Sequence, residues 1–141
     1  MKRIAVLSVI GTMAVLAACG GGAPKASNSP TPSASFTRLA STAHLKIISP
    51  TPNEVIHGST LHVKVELTGA TIVPRATTTV TPSTGHIHII IDGQTVSIYA
   101  GAEYDATGLT PGLHLLKVEF VMANHAFFDP RVIVTQAFRV A

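Results

Sequence analysis

The chain has one cysteine, no tryptophan and two tyrosines, and only 12% of its 141 residues carry a charge. Each shortage excludes something. A single thiol, Cys19, cannot form an internal disulfide, so the folded part must be held by an apolar core. The formal net charge of +3 includes Lys2 and Arg3. What remains is nearly neutral and scattered, without the basic stripe that a nucleic-acid backbone requires. The same scarcity leaves no polybasic patch for lipid headgroups. Catalytic signatures are missing as well. There is no Gly-rich phosphate loop and no Gly-x-Ser-x-Gly elbow, and Asp92, Glu103 and Asp105 form no acid–base pair. The expectation is a protein that is not an enzyme.

What is present begins with an address. Lys2 and Arg3 form a positive start, followed by an apolar run from Ile4 to Ala18 that is short for a bilayer span. It ends in Leu16-Ala17-Ala18-Cys19, which resembles the lipobox of bacterial lipoprotein signal peptides. The resemblance implies that residues 1–18 are a signal peptide, removed before Cys19, and that Cys19 carries diacylglycerol and often a further palmitate-type chain on its amine. Each buried CH₂ contributes about 0.8 kcal/mol, so two or three chains anchor stably where one binds marginally. The expected location is the cell membrane, with the folded part lipid-anchored on the extracytoplasmic side. Residues 19–43 are almost entirely Gly, Ser, Pro, Thr and Ala. They are expected to be a disordered linker, spanning ~27 Å on average as a flexible coil.

From His44 to Ala141 the chain reads as one domain in which period-2 alternation dominates and no helical stripe stands out. Seven strands are expected: His44–Ser49, Leu61–Leu67, a central strand from Gly85 to Ile91, Gln94–Tyr99, Glu103–Leu109, Leu113–Met122 and Val132–Val140. The central strand, Gly-His-Ile-His-Ile-Ile-Ile, closes at the turn signal Asp92-Gly93. Alternation sends Ile87, Ile89 and Ile91 to the core, and His86, His88 and Ile90 to the opposite face. Met122 shares the parity of Leu116 and Phe120 and is read as core. Seven short strands separated by turns point to an all-β, immunoglobulin-like antiparallel β-sandwich. Leu109-Thr110-Pro111-Gly112-Leu113-His114 resembles the corner leading into a long strand of such sandwiches, with His114 expected to bond to backbone there.

The chain from about Ser49 to Val140 resembles an uncharacterised family of small secreted bacterial domains of unknown function. The matching motifs are Ser49-Pro50 through Val55, Gly85 to Asp92, Leu109 to Leu116, and His125-Ala126-Phe127-Phe128-Asp129-Pro130. The chain departs from the family at Ile87 and Phe128, where a histidine is common, and lacks a His-rich insertion. The resemblance implies fold and compartment, and no activity.

In such a sandwich the third and sixth strands are antiparallel neighbours. That brings His86 and His88 near Asn124, His125 and Asp129 at one end, and leaves His114 at the other. Two functional expectations follow. In the first, the domain is a non-enzymatic binding or structural module with an unidentified cell-surface protein as candidate partner, and His86 and His88 are half-exposed strand residues. In the second, His86, His88 and His125 hold copper or zinc, with Asp129 as fourth ligand or as a partner orienting a ring. His44, His57 and His62 are expected at the surface without partners.

Overall fold

The computed structural model describes residues 38–141. The expected signal peptide, Cys19 and the part of the expected linker up to residue 37 lie outside the described residues.

Alternation dictates nearly all the architecture that follows. The described strands are β1 (His44–Ser49), β2 (Glu54–Ile56), β3 (Leu61–Thr68), β4 (Thr71–Ile72), β5 (Thr84–Ile91), β6 (Gln94–Ala100), β7 (Glu103–Ala106), β8 (Gly112–Met122) and β9 (Val132–Val140). They form two sheets, one of β1-β3-β7 and one running β2-β9-β8-β5, with β4 and β6 both pairing with β5. Placing β1, β3 and β7 opposite β9, β8, β5 and β6 reproduces the immunoglobulin-type distribution of strands. The protein is an all-β sandwich. All seven expected strands are present. The expected Glu103 strand is shorter, because Thr107 and Gly108 (φ 75°) lead away into a turn. The short strands β2 and β4 were not anticipated; each is a brief parallel pairing, with β9 and β5 respectively.

The core forms where the inward rows of the two sheets meet. Leu61, Val63 and Val65 of β3 face Ile87, Ile89 and Ile91 of β5 and Leu116, Val118 and Phe120 of β8, and all are buried. Each fully buried side chain of this size contributes about 1.5–3 kcal/mol. Phe128, Phe138 and Val140 close the core, and Met122 lies in it as its parity demands. Packing starts ahead of β1: Leu39 and Ala43 rest against the core, the Asp129 N–H donates to the Leu39 carbonyl, and the Thr42 N–H donates to that of Pro82.

The β5–β8 pair positions everything of functional interest. Its register sets Gly85 opposite Met122, His86 opposite Val121 and His88 opposite Glu119. Gly85 is required by space: a Cβ there would overlap the Val121 carbonyl oxygen and stand 2.8 Å from the Phe120 ring. Unlike an ordinary half-buried strand, β5 is covered on both faces. Ile90 is buried alongside the inward isoleucines, and His86 is completely buried.

Candidate functional site

The burial of His86 has two causes distant in sequence. The segment after β4 supplies the Val73 carbonyl, 2.8 Å from His86 Nδ1, and the turn after β8 supplies the Ala123 carbonyl, 3.0 Å from Nε2. The Thr77 N–H donates to that same Ala123 oxygen, which joins the two covering segments. Carbonyls only accept, so both contacts are hydrogen bonds together only when both ring nitrogens carry hydrogen. Each nitrogen of His86 faces a backbone carbonyl within hydrogen-bond distance. This corrects the expectation of a half-exposed strand residue: parity assigned the face, but the segments covering that face come from elsewhere in the chain.

The turn after β8 carries the next ring. Its geometry is set by the His125 N–H donating to the Met122 carbonyl at 2.8 Å and the Met122 N–H donating to that of Ala126 at 2.9 Å. The Asn124 side-chain oxygen accepts from the Ala126 N–H. This places His125 at φ 64°, a left-handed conformation in which glycine or asparagine would sit with less strain. The result aims its ring back over the sheet. It stacks on His86 with centroids 4.6 Å apart and planes 21° off parallel, and it lies 5.3 Å from the His88 ring. His125 Nδ1 is 3.1 Å from His88 Nε2, and His125 Nε2 is 2.8 Å from the Tyr99 hydroxyl. Tyr99, 47% exposed, also meets His86 edge to face at 4.8 Å.

Beneath this corner is a charged pair. Glu119, opposite His88 and almost fully buried, accepts two hydrogen bonds from the Arg131 guanidinium, at 2.7 and 2.6 Å. The Arg131 guanidinium lies 4.0 Å over the Phe127 ring. Burial is the main reason His88 titrates below the usual imidazole range; His125 and His86 add to this and Glu119 opposes it. His125 is also lowered, first by burial and then by the neighbouring His86. Both rings are thus held toward the neutral state.

Of the four residues expected to form a metal site, three converge and one does not. His86, His88 and His125 meet at one end of the larger sheet. Asp129 is exposed with its N–H bonded to Leu39, and no hydrogen bond joins its carboxylate to the imidazoles. Among the described residues no three His, Cys, Asp or Glu side chains converge so as to hold a metal ion. Tyr99 was not anticipated. The irregularities in the β5–β6 register between Ile87 and Ile90 displace it from simple hairpin counting, and nothing local in the sequence signals them.

The remaining histidines divide as their surroundings dictate. His114 is a corner residue bonded to backbone, as expected: Nε2 donates to the Thr110 carbonyl at 2.8 Å, while Nδ1 donates to Asp92 at 2.6 Å. His62 is exposed but does have a partner, Asp105, directly opposite on β7 at 2.6 Å.

No protein-family model and no curated protein matches the chain. Among solved structures it is similar to fibronectin(III)-like modules of Clostridium thermocellum CbhA. That match is 16% identical, covers 69% of this chain and 96% of that one, and has a TM-score of 0.47. It is also similar to an engineered protein, at 14% identity over 70% of this chain and 20% of that one, with a TM-score of 0.44. These neighbours accompany the sandwich architecture and carry no assignment of function.

Proposed function

We propose that this protein is a lipid-anchored, extracytoplasmic, non-enzymatic binding module, held to the membrane through Cys19. It would present the outer corner of its larger sheet to a ligand. The observation that carries the binding face is the Tyr99–His125 pair. An exposed phenol and a half-buried imidazole are fixed to one another, and the imidazole is kept in a left-handed backbone conformation over a fully buried ring. A backbone cost of order 1 kcal/mol at a partly exposed loop residue points to function there. The lack of catalytic signatures in the sequence favours binding over catalysis. A hollow of about 180 Å³, lined by His44, Leu45, Lys46, Glu66 and Thr68, lies at the β1–β3 edge. It falls short of the ~300 Å³ at which small-molecule sites begin. The anchor is supported by the positive start, apolar run and lipobox together.

Two measurements test the halves of this reading. The full chain, expressed in a bacterium and fed an alkyne palmitate analogue, should take up label and fractionate with membranes; Cys19→Ser should lose both. Unchanged labelling in that variant would refute the anchor. For the face, a photoactivatable phenylalanine analogue in place of Tyr99 should give discrete adducts on cells, and the same analogue in place of Lys46 on the opposite sheet should not. Absence of adducts from position 99, or identical adducts from both positions, would refute the binding face.

A further inference from the structure

The corner just described has a chemistry of its own. His125 Nδ1 and His88 Nε2 face each other across 3.1 Å. Two nitrogens bound to one divalent ion at about 2.05 Å stand about 2.9 Å apart at a right angle and about 3.3 Å apart at the tetrahedral angle. The observed separation falls between these. We propose that His88 Nε2 and His125 Nδ1 are the two protein ligands of an open site for an imidazole-preferring divalent ion, Cu(II) or Zn(II). The assignment rests on reading this corner as the binding face, and it names the ligand class.

The surroundings supply what such a pair needs. The Tyr99 hydroxyl lies 2.8 Å from His125 Nε2, the nitrogen facing away from His88. By accepting a hydrogen bond there it selects the tautomer whose Nδ1 lone pair is free, as a partner behind a metal-binding imidazole does. His86 cannot ligate, because both its nitrogens are taken by carbonyls. It is a positioning residue, a fixed platform against which the His125 ring is stacked. Glu119 is already engaged twice by Arg131 and is not a ligand. Both ligand rings are only partly buried. The other positions on the ion are filled by water or by a donor from whatever docks on the face. Asp129 takes no part.

The test is titration of the purified full chain in detergent micelles with Cu(II) and, separately, Zn(II), together with the electron paramagnetic resonance spectrum of the Cu(II) form. The expected result is one equivalent bound by at least one of the two ions. Affinity should fall at least tenfold in His88→Gln and in His125→Gln, and about tenfold in Tyr99→Phe. Asp129→Asn and His44→Gln should leave it unchanged. The Cu(II) spectrum should show two imidazole nitrogens, reduced to one in either histidine variant. His88 and His125 are not core residues, and unchanged melting temperatures would show that these variants fold. The assignment is overturned by the absence of saturable binding of either ion, by binding indifferent to both histidine variants, or by binding lost in Asp129→Asn. Position-99 adducts that persist without metal binding would leave the binding face standing and remove the ion alone.

Discussion

At the closing end of β5, His114 donates to the Asp92 carboxylate and to the Thr110 carbonyl, and Asp92 in turn accepts from the Leu115 N–H. At the opening end, His88 is hydrogen-bonded to His125, and His125 to the Tyr99 hydroxyl. The same residue type is thus pushed in opposite directions within one sheet. Asp92 raises the proton affinity of His114, with Thr110 adding to it, whereas burial lowers that of His88 and His125. Asp92 itself is held below the ordinary carboxylate range, first by the Leu115 N–H and then by His114. The contrast separates a histidine used as a structural staple from histidines held toward the neutral form at a partly exposed corner.

The harshest way to break the comparison acts through glycine. Gly85→Ala, at the opening end, drives a methyl group into the Val121 carbonyl and the Phe120 ring and should cost about 3 kcal/mol or more by denaturant unfolding. At the other end Gly93 has open space around it, but its φ of 81° strains any side chain. Gly93→Ala should therefore cost only about 1 kcal/mol. Equal costs would mean that β5 and β8 do not approach each other as closely at Gly85 as described. Next in size is His86→Phe. It preserves a ring under His125 but removes the ring nitrogen beside the partly buried Val73 carbonyl and leaves the Ala123 carbonyl only the Thr77 N–H, for an expected loss of about 2 kcal/mol. A loss below about 0.5 kcal/mol would show that the two carbonyls find water instead.

His114→Phe sharpens the comparison through pH. A raised folded-state pKa contributes stability in full below the ordinary imidazole value, about 6.5, and loses it as pH rises through the folded value. The lowered Asp92 contributes above the ordinary carboxylate value, about 3.9, and loses it as pH falls through its folded value. The pair is therefore worth most between about pH 4 and 6.5. Because Asp92 is half exposed, the cost of His114→Phe there should be about 1–2 kcal/mol rather than the full value of a charged hydrogen bond. Chemical denaturation at pH 5.5 and 8 should show a larger destabilisation at the lower pH; a pH-independent cost would refute the ion pair.

How much of this was legible depended on whether the signal was local. His44–Ser49 and Val132–Val140 are observed at the expected bounds, because alternation and flanking turn residues are local properties. The meeting of His86, His88 and His125 followed from the pairing of the third and sixth expected strands. His114 was recognisable from the turn that precedes it. By contrast β2 and β4 are too short for a period to show, and they exist only because β9 and β5 offer free edges. Burial of His86 depends on carbonyls 13 and 37 residues away. Tyr99 depends on strand irregularities without a sequence mark, and Arg131, which neutralises Glu119, lies across a loop from it. The expected membrane address and the proposed lipid anchor rest on the sequence alone, since Cys19 lies outside the described residues.

The smallest effect is also the one that isolates the opening end. His88 and His125 are partly buried, so the double variant His88→Gln/His125→Gln should change stability at pH 8 by no more than about 1 kcal/mol. Its signature is the slope against pH. For a histidine with a lowered folded-state pKa, the unfolded chain takes up the proton first. Its contribution is intact above about 6.5 and declines as pH falls toward the folded value. The charges around the pair are His86 from β5 itself, Glu119 from β8 and Arg131 behind Glu119; Glu119 is already neutralised by Arg131 and offsets little of the burial penalty. In the intact protein the acid-induced gain at His114–Asp92 lies above about pH 6.5 and this acid-induced loss lies below it, so stability at pH 5 and at pH 8 differs less than either effect alone would give. Removing the opening pair should leave a protein that gains stability as pH falls from 8 toward about 6.5 and keeps it below, whereas His114→Phe should leave one that loses stability as pH falls below about 6.5. If the two variants shift the slope in the same direction, the two ends of β5 do not hold their histidines in opposite states.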